Sequence, residues 1–437
     1  MTGCRFFAPA RWGVALPGDV KQVEGSIIFP AGIPSHRLVR RRLEKHSHLR
    51  DRLIDPQLYL VELDARAASK TCARLATYPW FPAASRVPQF KSGSMSVAAF
   101  EKALKASIDR RWVRTLPTGP QEILLLAVAC VTFQEATGCQ TVILPAPLVR
   151  DENNSLDQAL TWIDAGIEAM KTSDLPCLAT LAISDTALRG LDPSQNGLLS
   201  AALDALTARE ELGGVYLVLE QTSEPGYFCS HPDTIAALCW LVREFKRAKV
   251  KRIFVAPCGP LGLALCGLGA TDWTGGWYRS ERKQRLADCE DNEGRAHPTF
   301  YSHALAGDVH LKQDLDNLVA AKVVGVLANP SSFSAVLSRA LLNGSSVQKV
   351  PSWRFLGGNV TAARAHFLEV AVTETNELNK LAEANRHSYV TAWLKKAKDL
   401  AGEATAVGGV LHARTEVGHQ ATWLARVVKE LARSPTP

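Results

Sequence analysis

The 437-residue chain lacks any apolar run near the ~18 residues of a membrane-spanning helix. Its longest such run, residues 123–133, is about half that length and reads as a core helix. The opening Met1-Thr-Gly-Cys-Arg-Phe-Phe has no long apolar stretch and no small-residue cleavage site, so no signal peptide is expected. None of the ten cysteines forms a Cys-x-x-Cys pair. A structural zinc site and a disulfide framework are therefore not expected, and a reducing cytoplasm is. Histidines at metal-ligand spacing are also missing; His46-Ser-His48 is only a pair on a basic segment, so no metal and no cofactor is expected. No Gly-x-Gly-x-x-Gly follows the first strand and no Walker-type loop is present, which argues against a dinucleotide fold.

What is there is an α/β pattern. Apolar residues make up 46% and charged residues 21%, as in a soluble globular chain. The net charge of +7 would assist contact with a polyanion. The stretch from Arg252 to Arg279 sets the grammar. Ile253 to Ala256 is an apolar run suited to a strand buried on both faces. Pro257, Gly259 and Pro260 stop it. Leu261 to Leu268 predicts a buried helix, Gly269 ends that helix, and a short strand carries Asp272 towards Gly275-Gly276 and Arg279.

The same alternation runs along the chain. Residues 1–24 read as irregular and Gly25 to Pro30 as the first strand. His36 to Arg52 reads as a helix carrying Arg37, Arg40, Arg41, Arg42 and Lys45, either a solvated face or a phosphate-contacting surface. Leu53 to Asp55, then Gln57 to Leu63, reads as the second strand, bent at Pro56. Residues 64–120 form a long insertion with a helix at Val97 to Arg110, a lid or a binding loop. Helices are expected at 121–137, 155–171, 198–211 and 232–249, and strands at 141–145, 177–183 and 215–219. Pro298 to Tyr301 is the candidate next strand, with Val323 to Leu327 as the alternative. Seven or eight strands between helices fit a TIM-like (β/α)8 barrel over residues 1–330 better than a doubly wound sheet. Residues 331–437 read as a helical appendix, with helices at 362–386, 389–402 and 416–433. It would pack on the barrel, on a second copy or on a partner protein.

In a parallel barrel the ligand lies at the carboxyl ends of the strands. That places Asp55 and Gln57, Asp185, Glu220 and Gln221, Cys258 and Gly259, Asp272 with Trp273, Gly275, Gly276 and Arg279, and Tyr301 with His303 on one face. Asp55, Glu220 and Asp272 are the candidate catalytic carboxylates. Glu220 ends an apolar run, so its burial implies a partner or ligand. Trp273 or Trp277 offers a stacking face, and Arg279 a planar fork for phosphate or carboxylate. Cys258 is a nucleophile only if something activates it, and His303 reads as an ordinary polar contact.

Phe254-Val-Ala-Pro-Cys-Gly-Pro, Gly267 to Asp272 and Arg279 together resemble the late barrel strands of tRNA-guanine transglycosylases and related DNA-modifying barrels. Asp55 falls where that family carries a catalytic aspartate. The resemblance implies nucleobase exchange through a covalent enzyme–sugar intermediate, a transferase activity. The family's Asp-Ser-Gly-Gly-Phe-Gln signature stands here as Asp55-Pro56-Gln57-Leu58-Tyr59. Its nucleophilic aspartate falls at Thr274 to Gly276, and its zinc cysteines have no counterpart. The expected function is thus nucleotide or nucleic-acid binding at the strand ends, with base modification as its catalytic form. A non-catalytic scaffold and an enzyme for a phosphorylated small molecule remain open beside it. No membrane partner is expected.

Overall fold

The structure is a computed structural model that describes residues 3–10, 23–33, 36, 38, 39, 43, 49–82, 102, 112–150, 154–221, 227–291, 299–311, 314–354, 361–407 and 418–433. Arg37, Arg40, Arg41, Arg42 and Lys45 lie outside the described residues, as does nearly all of the helix expected at 97–110.

Nine parallel strands build the sheet. They are β1 (Arg5–Ala10), β2 (Gly25–Ile28), β3 (Asp51–Ile54), β4 (Val142–Leu144), β5 (Leu148–Val149), β6 (Cys177–Ser184), β7 (Gly214–Glu220), β8 (Ile253–Val255) and β9 (Asp272–Thr274). The order is β3-β2-β1-β9-β8-β7-β6-β4, with β5 also beside β6. The eight strands along this path curl into an open half-barrel, with β3 and β4 as its edges. Helices α1 (Ser69–Leu75), α2 (Pro120–Ala136), α3 (Ser155–Met170), α4 (Gly197–Thr207), α5 (Pro232–Arg247) and α6 (Leu261–Leu268) join the later strands.

Alternation along the strands sorts the core into two parts. Phe7, Ile27, Leu53, Ile143, Leu178, Tyr216 and Phe254 share the apolar cluster of the hollow. Their neighbours Phe6, Val142, Ala179, Val215, Ile253 and Trp273 belong to the cluster under the helices. Successive side chains point to opposite faces of a strand, so both faces are buried and each strand reads as a continuous apolar run.

Four readings are corrected. Residues 5–10 are not irregular: β1 lies mid-sheet between β2 and β9. Its Pro9 is tolerated because the β9 register ends at Phe7 opposite Thr274, so no ladder donor is needed on that side. The second strand stops at Ile54; Gln57 adopts a left-handed φ of 52° and Leu58–Leu60 form a 3-10 turn. The expected strand at 298–301 is β10 (Thr299–Ser302), which pairs only with β11 (Gly307–His310) as a separate antiparallel hairpin. Val324–Leu327 is a 3-10 turn.

Beyond the hairpin come α7 (Asp314–Ala320), α8 (Ala335–Leu342), α9 (Thr361–Lys380), α10 (Glu383–Ala406) and α11 (His419–Ala432). Ser331, read as linker, is buried and hydrogen-bonds His366 Nδ1 on α9 at 2.7 Å. The last three helices pack on the sheet and hairpin. Trp273 Nε1 donates to Thr375 Oγ1 on α9 at 3.1 Å, Trp393 Nε1 on α10 to His303 O at 2.8 Å, and Trp423 Nε1 on α11 to Cys229 O at 2.7 Å. No helix among the described residues is long and apolar enough to cross a membrane.

Candidate functional site

The two ends of the sheet carry different chemistry. At the amino-terminal end Asp272, the first residue of β9, sits between two guanidiniums. Arg5 reaches Asp272 Oδ1 at 2.7 Å and Arg252 Nε reaches Oδ2 at 2.9 Å. Both arginines also pair with Asp51, at 3.4 and 2.9 Å, and Arg252 Nη1 donates to Thr141 Oγ1 at 2.8 Å. This is an ion-pair floor for the hollow.

Register places Asp272 far from Glu220. Asp272 lies opposite Phe254, and Phe254 opposite Tyr216. Glu220 is four residues further along β7, roughly 13 Å at ~3.3 Å per residue. The expectation that Asp55, Glu220 and Asp272 converge is therefore corrected for Asp272. A three-residue strand gave no sign of which end the aspartate occupies.

Asp55 and Glu220 do lie at carboxyl ends. Asp55 is fully buried, and Oδ2 accepts from Tyr59 Oη at 2.5 Å and from Tyr216 Oη at 2.8 Å. Oδ1 accepts from the Gln57 amide at 2.9 Å. So bonded, Asp55 acts as a clamp across the hollow. Burial first, and then the Asp55 charge, raises the Tyr216 phenol well above its usual value, so Tyr216 is the donor.

Glu220 is buried with sparser company. Oε2 accepts from Ser184 Oγ at 3.1 Å and Oε1 from the Leu286 amide at 3.5 Å. Burial raises its carboxyl above the ordinary range, and Asp185 adds to this; Ser184, the Leu286 amide and Arg150 oppose it. Arg150, just after β5, also pairs with Glu62. Asp185 pairs with Arg189 at 2.8 Å.

Around Glu220 stand buried amides. A parallel bridge joins Glu220 to Gln284, and the Gln221 amide donates to Gln284 O at 3.0 Å. Among the described residues neither side-chain amide atom of Gln284 has a hydrogen-bond partner, nor has Gln221 Oε1. Gln57 Oε1 accepts from the Ala31 amide at 2.8 Å, while its Nε2 has no such partner. Each such buried group costs about 1–3 kcal/mol when left unpaired. Beside them Arg282 is fully buried and forms an ion pair with Asp308 at 3.0 Å. Its guanidinium lies 5.0 Å from the Phe228 ring and 4.8 Å from that of Phe367. Burial raises the Asp308 carboxyl to about 6 despite this partner.

The remaining candidates divide. Gly259 has a left-handed φ of 55°, and a Cβ on Gly275 would stand 2.6 Å from its Cα, so the two backbones touch because neither has a side chain. A Cβ on Gly276 would collide with the Glu281 side chain. Trp273 faces outward against Phe6 and α9, and Trp277 Nε1 donates to Thr299 O at 3.1 Å; both are buried in the core. Arg279 pairs with Asp288 at 3.3 Å. Tyr301 lies against Phe367, and His303 pairs with Glu374 at 3.1 Å while stacking on Trp393. Cys258 is buried and burial pushes its thiol far up, which leaves it inert as a nucleophile. No cluster of metal-ligating side chains occurs among the described residues.

Sequence reasoning missed Ser184, Tyr216, Arg282, Gln284 and Asp308. Tyr216 was within reach, because residues 216, 218 and 220 share one strand face. Arg282-Lys283-Gln284 gave no such signal; residues 279–285 read as a basic segment suited to a nucleic-acid contact. No family model matches the chain, and no curated protein matches it.

Proposed function

We propose that the chain binds a nucleobase, free or as a nucleoside, at the carboxyl ends of the strands over Glu220, Gln221 and Gln284. One observation carries this reading: Gln284 is 1% exposed and neither of its amide atoms has a hydrogen-bond partner among the described residues. Glutamine amides pair with the donor and acceptor edges of bases. Gln221 Oε1 adds an acceptor. Glu220, holding its proton to higher pH than an ordinary carboxyl, adds a donor to a ring nitrogen. The resemblance to transglycosylase barrels points to the same ligand class, with a transferase activity as its catalytic form.

The reading also takes the half-barrel as a closed (β/α)8 ring. The strand order is that of a ring cut between β3 and β4. Gln140 spans the cut: its amide donates to Arg52 O at 3.3 Å and its Oε1 accepts from Arg52 N at 2.8 Å.

Calorimetric titration with the free bases and nucleosides tests the proposal. Saturable binding is expected, weakened about tenfold or more by Gln284→Ala and by Glu220→Ala, as loss of ~1.4 kcal/mol or more implies. Binding of phosphosugars but of no base or nucleoside would sink it.

A further inference from the structure

We propose a second, separate site for a phosphate group at the amino-terminal face of the sheet, in the groove between the ends of α5 and α6 and the first turn of α10. The groove is a cavity of about 340 Å³ lined by Lys246, Lys249, Lys251, Arg386 and His387, with Glu383 as its one carboxylate. Glu383 pairs with Lys246 at 3.0 Å, and the charges of Arg386 and His387 also act on it. Lys249, Lys251 and Arg386 have no ion-pair partner among the described residues.

Helix dipoles account for only part of this. Lys246 and Lys249 stand at the carboxyl end of α5, where cations are favoured. Arg386 stands in the first turn of α10, at the positive end, where a cation is disfavoured. Its Nε is buried without a hydrogen-bond partner among the described residues. A phosphate in the groove would offset both costs, since oxyanions accept charge-assisted bonds from guanidinium and ammonium groups. His387 lines the same groove. Burial and the Arg243 charge both push the His387 imidazole below its usual value, and Glu383 only partly opposes them.

The neighbouring cavity is a poorer candidate. At about 430 Å³ it shares Cys4, Lys251 and Thr271 with the groove, but its arginines, Arg5 and Arg252, are matched by Asp51 and Asp272. Gly269 shapes the wall between α6 and the groove. Its φ of 126° turns the chain, and a Cβ there would stand 2.9 Å from Lys246 Cγ.

The test is a low-salt titration of the full chain with inorganic phosphate, pyrophosphate and a short dinucleotide, followed by the histidine resonances. Saturable binding of at least one probe is expected, with a rise in the His387 pKa and with affinity falling as salt is added. Arg386→Gln and Lys251→Gln should each weaken it about tenfold, the loss of one charge-assisted bond. Lys395→Gln, exposed elsewhere on α10, should not. Pyrophosphate binding tighter than the dinucleotide assigns the groove to free phosphates, and the reverse order assigns it to a phosphodiester chain. No saturable binding, or equal affinity of Lys251→Gln and the unaltered chain, overturns the proposal. Nucleobase titrations should be unaffected by either variant, because that site lies at the other end of the sheet.

Discussion

Tyr216 Oη lies 2.8 Å from Asp55 Oδ2, so the middle of β7 is bonded across the hollow to the residue that follows β3. The same oxygen accepts from Tyr59, and both phenols are buried. Tyr216→Phe should therefore lower stability by about 1–3 kcal/mol, the cost of an acceptor left short of a partner. Denaturant unfolding checks this. A midpoint equal to that of the unaltered chain would mean that the bond contributes nothing.

Asp272 should behave as a structural residue. Arg252→Ala leaves Asp51 and Asp272 short of a counter-charge in a mostly buried site, a loss of about 3–5 kcal/mol. Asp272→Asn should also destabilise the fold while leaving ligand affinity at the far end within twofold or so, because the two ends share no residue. Loss of binding in a folded Asp272→Asn protein would return this aspartate to the ligand site.

Asp308 and Glu220 give the pH dependence a definite sign. Burial raises Asp308 from an ordinary 3.8 to about 6, and Glu220 moves the same way. The folded chain thus holds these protons more tightly than the unfolded chain does. Their contribution to stability is full below the ordinary value, and that of Asp308 is lost as pH rises from 3.8 to about 6. Asp308→Asn should flatten the stability profile in that window, even though it weakens the Arg282 pair. Urea midpoints measured across the window decide it, and an unchanged slope would contradict the shift.

All ten cysteines are free and buried. Burial raises the thiols of Cys72, Cys130, Cys239 and Cys258 far above their ordinary value, and that of Cys139 to about 12. A thiol reagent at neutral pH should label none in the native protein and all ten after denaturation. Rapid native labelling of Cys258 would restore it as a candidate nucleophile.

Much of the architecture was legible where one period dominated. The run Leu261 to Leu268 predicts α6 residue for residue, since no polar position offers a solvent face and glycine ends it. Glu220 was visible as the single carboxylate closing an apolar strand. β1 was not, because Arg5, Pro9 and the alanines on either side of it, all of low strand propensity, disguise a strand one of whose partners lies far along the chain. Arg282, Lys283 and Gln284 were misread for a different reason. Hydropathy records what a side chain is and not what covers it, and here Phe228 and Phe367 flank a charged residue. The break between α9 and α10 falls at Leu381-Ala382, ahead of the expected position, because residues 381–386 hold no glycine or proline to mark a stop.

β1 sits between β2, which follows it closely, and β9, whose first residue is 267 positions away. During synthesis its β9 side stays open until the ribosome has released Asp272 to Thr274. Until then a row of unused main-chain donors and acceptors faces outward, the kind of edge on which nascent chains pair with the wrong neighbour. Fragments that stop short of residue 272 should accordingly gather in aggregates, and holding the growing chain apart from its siblings should raise the yield of the native molecule.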